Sequence, residues 1–202
     1  MSEVTATRSA VIALKEERRA MQESSAFLDE KCLLLAEAMM NELRRHQRMS
    51  AEDRKLSEEA ASALHAALMR HGLDGLQCYP AADLGGAVPD VQRRTLMGIA
   101  LQSARFEAAG KPRFEPVNPS PEAEACRALF ARRLGLAAQL AAVAGNLDRL
   151  YHEYRRTVRR VRALEDVLLP EIDRTASEIE AQLEELEQDE ALWVRRASGA
   201  AR

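Results

Sequence analysis

The sequence predicts an all-α fold: a long antiparallel two-helix coiled coil formed by the N- and C-terminal helices, with a small irregular or β-hairpin insertion between them. Three observations predict it. Of the 202 residues, 30% are charged and only 4% are aromatic, the make-up of long helices rather than of a compact domain with a thick core. Apolar residues recur at steps of three, four and seven in both terminal thirds, the spacing of a helix that packs along another helix. The helix breakers cluster instead in the middle: Pro80, Pro89, Pro112, Pro116, Pro119 and Pro121 with Gly72, Gly75, Gly85, Gly86, Gly98 and Gly110. The chain accordingly divides into an N-terminal coiled-coil helix over 1–71, a loop-rich insertion with short strands over 72–120, a C-terminal coiled-coil helix over 121–196 and a flexible tail over 197–202.

In the first helix Val11, Leu14, Met21, Leu28, Cys32, Leu35 and Met39 form the seam, interrupted by Arg18 and Ser25. Polar residues at seam positions cost stability but fix register, so the partner helix is predicted to be specific. Ser50, followed by Glu52 and Asp53, has the form of a helix N-cap with acids in the first turn, which predicts a kink near 49–53. The seam resumes through Leu56, Ala60, Leu64 and Leu68 until Gly72, placed as a C′ residue. In the insertion, "TLMGIALQ" around Gly98 is the best strand, and "KPRFEPVNPSP" cannot be helical because its prolines lack the donor and restrict their predecessors. Gly85-Gly86 is a turn signal.

The last helix opens well, with Ser120 as N-cap and Pro121 at the first helical position. Its seam runs through Leu150, Tyr154, Val158, Val161, Leu164, Leu168, Ile172, Ile179, Leu183, Leu186 and Trp193. About 75 helical residues would reach roughly 110 Å, more than one globular core of this mass needs. Pro170 stands inside this otherwise regular stretch, where it removes a hydrogen bond to the Asp166 carbonyl and costs about 3 kcal/mol in an isolated helix.

Several function classes are disfavoured. With 29 Lys+Arg against 32 Asp+Glu the net charge is -3, and no basic tract with interleaved aromatics provides a nucleic-acid footprint. No segment has the roughly 18 uncharged apolar residues of a bilayer span, nor does the N-terminus have a signal-peptide run, so direct membrane insertion is not expected. Cys32, Cys78 and Cys126 have no CxxC spacing, which argues against disulfides and zinc. No phosphate loop, HExxH or GxSxG is present. His46, His65, His71 and His152 are scattered, and the run "EIEAQLEELEQDE", flanked by Arg174 and Arg195–Arg196, reads as a solvated helix face. No catalytic, cofactor or metal residue is therefore assigned, and function must come from shape and contact.

The stretch "TVRRVRALEDVLLPEIDRTASEIEAQLEELEQDEALWVRR" resembles the C-terminal helix of the D subunit of V-type and A-type ATPases, with a pattern close to RRVNALEYVLIPRLExTIxxIxxxLEExER and an aromatic, basic end. Arg159, Arg160, Val161, Ala163, Leu164, Glu165, Val167, Leu168, Pro170, Thr175, Ile179, Leu183 and Glu184 match it. "VIALKEERR…FLDEKCLLL" is similar to the family's N-terminal helix through Leu14, Lys15, Glu16, Leu28 and Lys31, and "RRTLMGIAL" to its RNVMGVxVP strand. Arg162 and Asp166 depart from the Asn and Tyr of NALEY, Ser24-Ser25 from a Gly-His, and Ala191 to Arg195 from an FFRLK end.

The resemblance implies a non-catalytic central rotor shaft that couples rotation of a membrane ion ring to ATP synthesis or hydrolysis. It implies catalytic A and nucleotide-binding B subunits, the F subunit and the funnel-shaped C/d subunit as partners, no cofactor, and a cytoplasmic place attached to the membrane through the complex. The rotor-contact candidates are Leu14, Lys15, Arg159, Arg160, Leu164, Glu165, Pro170, Trp193 and Arg195. A coiled-coil adaptor or tether, expected to form a homodimer, is the alternative that the heptads alone allow.

Overall fold

The computed structural model describes residues 7–80, 87–106 and 115–199, with side chains to residue 196. In chain order it contains α1 (Arg8–Gln77), β1 (Asp90–Leu96), β2 (Ile99–Arg105), α2 (Pro121–Ala163), a π-helical turn (Leu164–Leu168) and α3 (Leu169–Gly199). Contacts group these into a terminal unit, Met1–Leu34 with Tyr154–Arg202, and a middle unit, Leu35–Glu153. Gly85-Gly86 lies outside the described residues, as do 111–114 of the proline-rich stretch and 200–202 of the tail. Residues 197–199 continue α3.

In the terminal unit the direction of the helices follows from their polar pairs. Arg8 bonds Glu187 (2.5 Å), Lys15 pairs with Glu180 (2.7 Å), Arg18 with Asp173 (2.6 Å), and Ser25 donates to Glu165 (2.9 Å). Numbers rise along one helix as they fall along the other, so the pair is antiparallel. Val11, Val161, Ile172 and Ile179 are buried between these rows, with Leu14, Met21 and Leu28 half-buried. Both residues that interrupt the seam find partners on the opposite helix. Arg18 reaches out to Asp173, and Ser25, 5% exposed, meets Glu165.

The middle unit repeats the antiparallel arrangement. Arg132 and Arg133 of α2 face Glu52 (3.5 Å) and Asp53 (3.1 Å) of α1, and His71 lies 2.6 Å from Ser120. Its seam buries Leu35, Leu56, Ala60 and Ala67 of α1 with Ala123, Cys126, Leu136, Val143 and Leu150 of α2. Ser120 caps α2 by accepting the Ala123 N–H at 3.2 Å, with Pro121 first in the helix and Glu122 and Glu124 in the first turn, where carboxylates suit the helix dipole.

Around 49–53, where a kink is expected, the backbone keeps helical dihedrals and α1 runs on without a break. Ser50 points back one turn to His46 (3.5 Å) instead of capping, and Glu52 and Asp53 are taken by the α2 arginines. The non-helical residue of α1 is Gly72 (φ 69°, ψ 173°), a backbone that L side chains resist.

"TLMGIALQ", read as one strand, is the tip of a hairpin. β1 and β2 pair antiparallel, with Leu96 opposite Ile99 and Asp90 opposite Arg105. The two loop residues, Met97 (φ 49°) and Gly98 (φ 81°), both have positive φ, as a type I′ turn requires and as the right-handed twist of a two-residue hairpin favours. Ile99 and Leu101 turn one face of the hairpin inward, and Leu101 is 1% exposed.

Asn146 of α2 attaches this hairpin to the helices. Its side-chain amide accepts the Gln102 N–H and donates to the Gln102 carbonyl, both at 2.7 Å, while the residue is 1% exposed. The amide thereby replaces a neighbouring strand along the edge of β2. Arg94 of β1 adds a contact with the buried Glu42 of α1 at 3.3 Å.

Candidate interaction surface

All nine contact candidates fall in the terminal unit. Leu14 and Leu164 are half-buried on the seam, so they hold the helices together as much as they present a surface. Lys15 is exposed and engaged with Glu180, and Glu165 accepts from Ser25. Arg159 and Arg160 are exposed on the outer face of α2, Arg159 donating to the Arg155 carbonyl (3.3 Å). Arg195 is exposed, and Trp193 is 73% exposed near the end of α3.

The backbone around Pro170 answers why this helix accepts a proline. In an α-helix its ring would strike the Asp166 carbonyl and leave that carbonyl without its donor. Here the turn ahead of it, Leu164–Leu168, is π-helical, and the Leu169 N–H reaches the Leu164 carbonyl five residues back. The wider turn holds one extra residue and makes room for the ring.

That extra residue also moves the seam. From Val161 and Leu164 a seven-residue repeat would next bury Leu168 and Glu171. Leu168 is 38% exposed and Glu171 is exposed; burial returns one position later at Ile172 and recurs at Ile179. Periodicity assigns Leu168 to the seam, and the π turn is the physical reason it is not buried there. Leu186 (58% exposed) and Trp193 leave the seam as well, and in the middle unit Leu64 (38%) yields its place to Ala67.

Several large apolar side chains remain outward on these helices. Ile12, Phe27, Val167, Leu186, Leu192, Trp193 and Val194 are each more than half exposed in the terminal unit. A groove of about 530 Å³ between Arg8, Val11 and Ile12 on one helix and Glu180, Leu183, Glu184 and Glu187 on the other joins an apolar floor to an acidic wall. Among the described residues, no three His, Cys, Asp or Glu side chains come together as a metal set, and no helix is long and apolar enough to cross a membrane. Ser25 is read from its seam position as a register-fixing polar residue, whereas Asn146 and the Arg94–Glu42 pair are positioning residues that the seam pattern does not assign; a polar residue on an otherwise apolar helix face is the available signal for Asn146.

The fold and this surface define a class: a paired-helix scaffold with a small hairpin insertion and, among the described residues, no metal-binding cluster. Comparison with known proteins makes the class specific. Residues 10–198 match the model of the family of ATP synthase D subunits, and the chain belongs to that family. It is 26% identical to the V-type ATP synthase D subunit of Thermotoga neapolitana over 96% of each chain. It is 28% identical to the V-type ATP synthase D subunit of Thermus thermophilus, over 98% of this chain and 89% of that one. With the A-type ATP synthase D subunit of Thermococcus gammatolerans it shares 31% identity over about half of each, 53% and 52%.

Proposed function

We propose that the chain is the non-catalytic central rotor shaft of a V/A-type ATPase, transmitting torque between a membrane ion ring and a hexamer of catalytic A and nucleotide-binding B subunits. The observation that carries this reading is the terminal unit's surface. Its helix pair keeps bulky apolar groups such as Leu192, Trp193 and Val194 outward, where a surrounding partner would cover them. Membership in the family of D subunits supports it. An F subunit and a funnel-shaped C/d subunit would hold the shaft elsewhere, in a cytoplasmic complex attached to the membrane.

In this mechanism the shaft makes and breaks no covalent bond. Its work is to offer different side faces to successive catalytic interfaces as it turns, so departures from a symmetric helix pair matter. The π turn and Pro170 supply one: they re-phase the seam by a residue and leave Val167 and Leu168 outward. Lys15, Arg159, Arg160 and Arg195 would give polar contacts to the hexamer, and Trp193 an apolar anchor.

The direct test is purification of the tagged chain from its own cells. Catalytic A and B subunits recovered in several copies per chain would support the rotor; recovery as a homodimer alone would replace it with a coiled-coil tether. Within a recovered complex, Pro170→Ala should lower rotation-coupled ATPase activity severalfold while leaving assembly intact. Unchanged coupling in a variant with an α-helical turn at 164–168 would remove the π turn from the mechanism.

A further inference from the structure

We propose that the outer edge of β1 is a docking site for an extended, acidic segment of another polypeptide, which would add to the hairpin as a third strand. The two edges of this sheet are treated differently. The edge of β2 is engaged at its centre by the Asn146 amide, which takes both the N–H and the carbonyl of Gln102. Among the described residues nothing pairs with the edge of β1, because the sheet has two strands only.

Two independent features say which backbone groups that edge presents. In a hairpin closed by two residues, the pair flanking the turn, Leu96 and Ile99, exchanges hydrogen bonds. Alternation then makes Arg94–Leu101 and Gln92–Ser103 bonded pairs as well. Because Gln102 spends both its backbone groups on Asn146, its partner Arg93 must also belong to a non-bonded pair. Both arguments leave the N–H and carbonyl groups of Val91, Arg93 and Thr95 directed outward, spaced two residues apart as an incoming strand requires.

Charge and side chains indicate the occupant. The hairpin carries Arg93, Arg94 and Arg105 against the single Asp90, a basic island in a chain of net charge -3. Arg94 is engaged by Glu42. Arg93 stands exposed at the centre of the edge, flanked by exposed Val91 and Thr95, on the face opposite Ile99 and Leu101. The complementary segment is an extended chain with a carboxylate beside Arg93 and an apolar residue beside Val91. The site belongs to the middle unit, whereas the surface assigned to rotation belongs to the terminal unit, and it does not depend on the rotor reading.

The test compares amide hydrogen exchange, residue by residue, in the isolated full-length chain and in the chain purified with its companions from its own cells. The expected result is at least tenfold greater protection of the Val91, Arg93 and Thr95 amides in the assembly, with Gln92 and Arg94 protected in both. In Arg93→Pro, whose lost N–H belongs to no β1–β2 bond, the gain at Val91 and Thr95 should vanish while Gln92 and Arg94 keep their protection. Equal exchange of the three amides in both states overturns the proposal, even where A and B subunits are recovered. Protection in an assembly without them sustains it while removing the rotor reading. Protection arising in a homodimer overturns the acidic partner in favour of a second copy, and a chain recovered alone as a monomer overturns the site outright.

Discussion

Among the described residues, five of the six largest fully buried side chains, Leu35, Leu101, Leu150, Val143 and Asn146, belong to the middle unit and one, Thr157, to the terminal unit. The terminal helices have seam residues of the same kind, yet they turn Phe27, Leu186, Leu192 and Trp193 outward. The difference is the hairpin. A third element lets the middle pair enclose side chains on more than one side, whereas two helices alone bury one narrow stripe and leave the rest to solvent or to partners. Enclosed core is thereby concentrated in the middle unit, while both units keep apolar side chains outward.

The comparison breaks first at the cores. Leu101→Ala and Leu150→Ala in the middle unit should each cost about 3 kcal/mol, because the cavity is walled in and cannot collapse. Ile179→Ala, on the open two-helix stripe, should cost about 2 kcal/mol at most, since the flanking side chains can close over the space left behind and water can reach it. Urea unfolding followed by helix circular dichroism measures all three, and equal losses would mean that the two units are equally closed.

Asn146→Ala sharpens the role of the hairpin. It leaves the Gln102 N–H and carbonyl without their partner in a half-buried place, at a cost of about 2 kcal/mol. The loss should be local: exchange of the Gln102 amide rises while the α1 and α2 amides around Leu56 and Leu136 stay protected. A uniform rise would show that the hairpin is part of one cooperative unit with the helices rather than an element fastened onto them.

Much of this arrangement is legible from residue spacing. Val11, Leu35, Leu56, Ala60, Leu150, Val161, Ile172 and Ile179 lie on the predicted seams and are buried. The misses have local causes. Heptad counting assumes a constant number of residues per turn, so the extra residue of the π turn displaces Leu168, although Pro170 marks the place. Ser50 with Glu52 and Asp53 has the form of a cap in sequence, but carboxylates also serve arginines on a neighbouring helix, and one chain read linearly does not reveal Arg132 and Arg133 opposite. Asn146 stands out only as a polar residue on an apolar helix face, and its role is not legible there because only the fold brings Gln102 to it. The outward contacts of Trp193 and Arg195 depend on partners, which no helix periodicity encodes.

A smaller effect probes register in the terminal unit. Ser25→Ala removes the bond to Glu165, whose carboxylate can turn to water, so about 1 kcal/mol should be lost. Placed beside the Asn146 result, this would show that polar pairs across the terminal seam select the pairing of helices more than they stabilise it. Disulfide trapping between cysteines introduced at the facing positions Lys15 and Glu180 reads the register directly; a Ser25→Ala chain that cross-links as efficiently as the parent would move register control to Arg18 and Asp173.

The smallest expected effect concerns two thiols, Cys32 in the terminal unit and Cys126 in the middle unit. Burial pushes the Cys126 thiol above its ordinary value, and burial together with the Asp29 carboxylate does the same at Cys32. A raised value means that the folded chain keeps protons the unfolded chain has already released. Stability is therefore complete below the ordinary thiol range and declines as pH rises toward the folded values. Below that range the thiolate needed for reaction is scarce at both sites, whereas Cys78 is exposed. A thiol-reactive dye at a pH of about 8, near the ordinary thiol value, should label Cys78 first, then Cys32, which is half-buried, and Cys126 last. Labelling of Cys126 ahead of Cys32 would mean that the start of α2 opens more readily than the terminal helix pair, reversing the order of stability drawn from their burial.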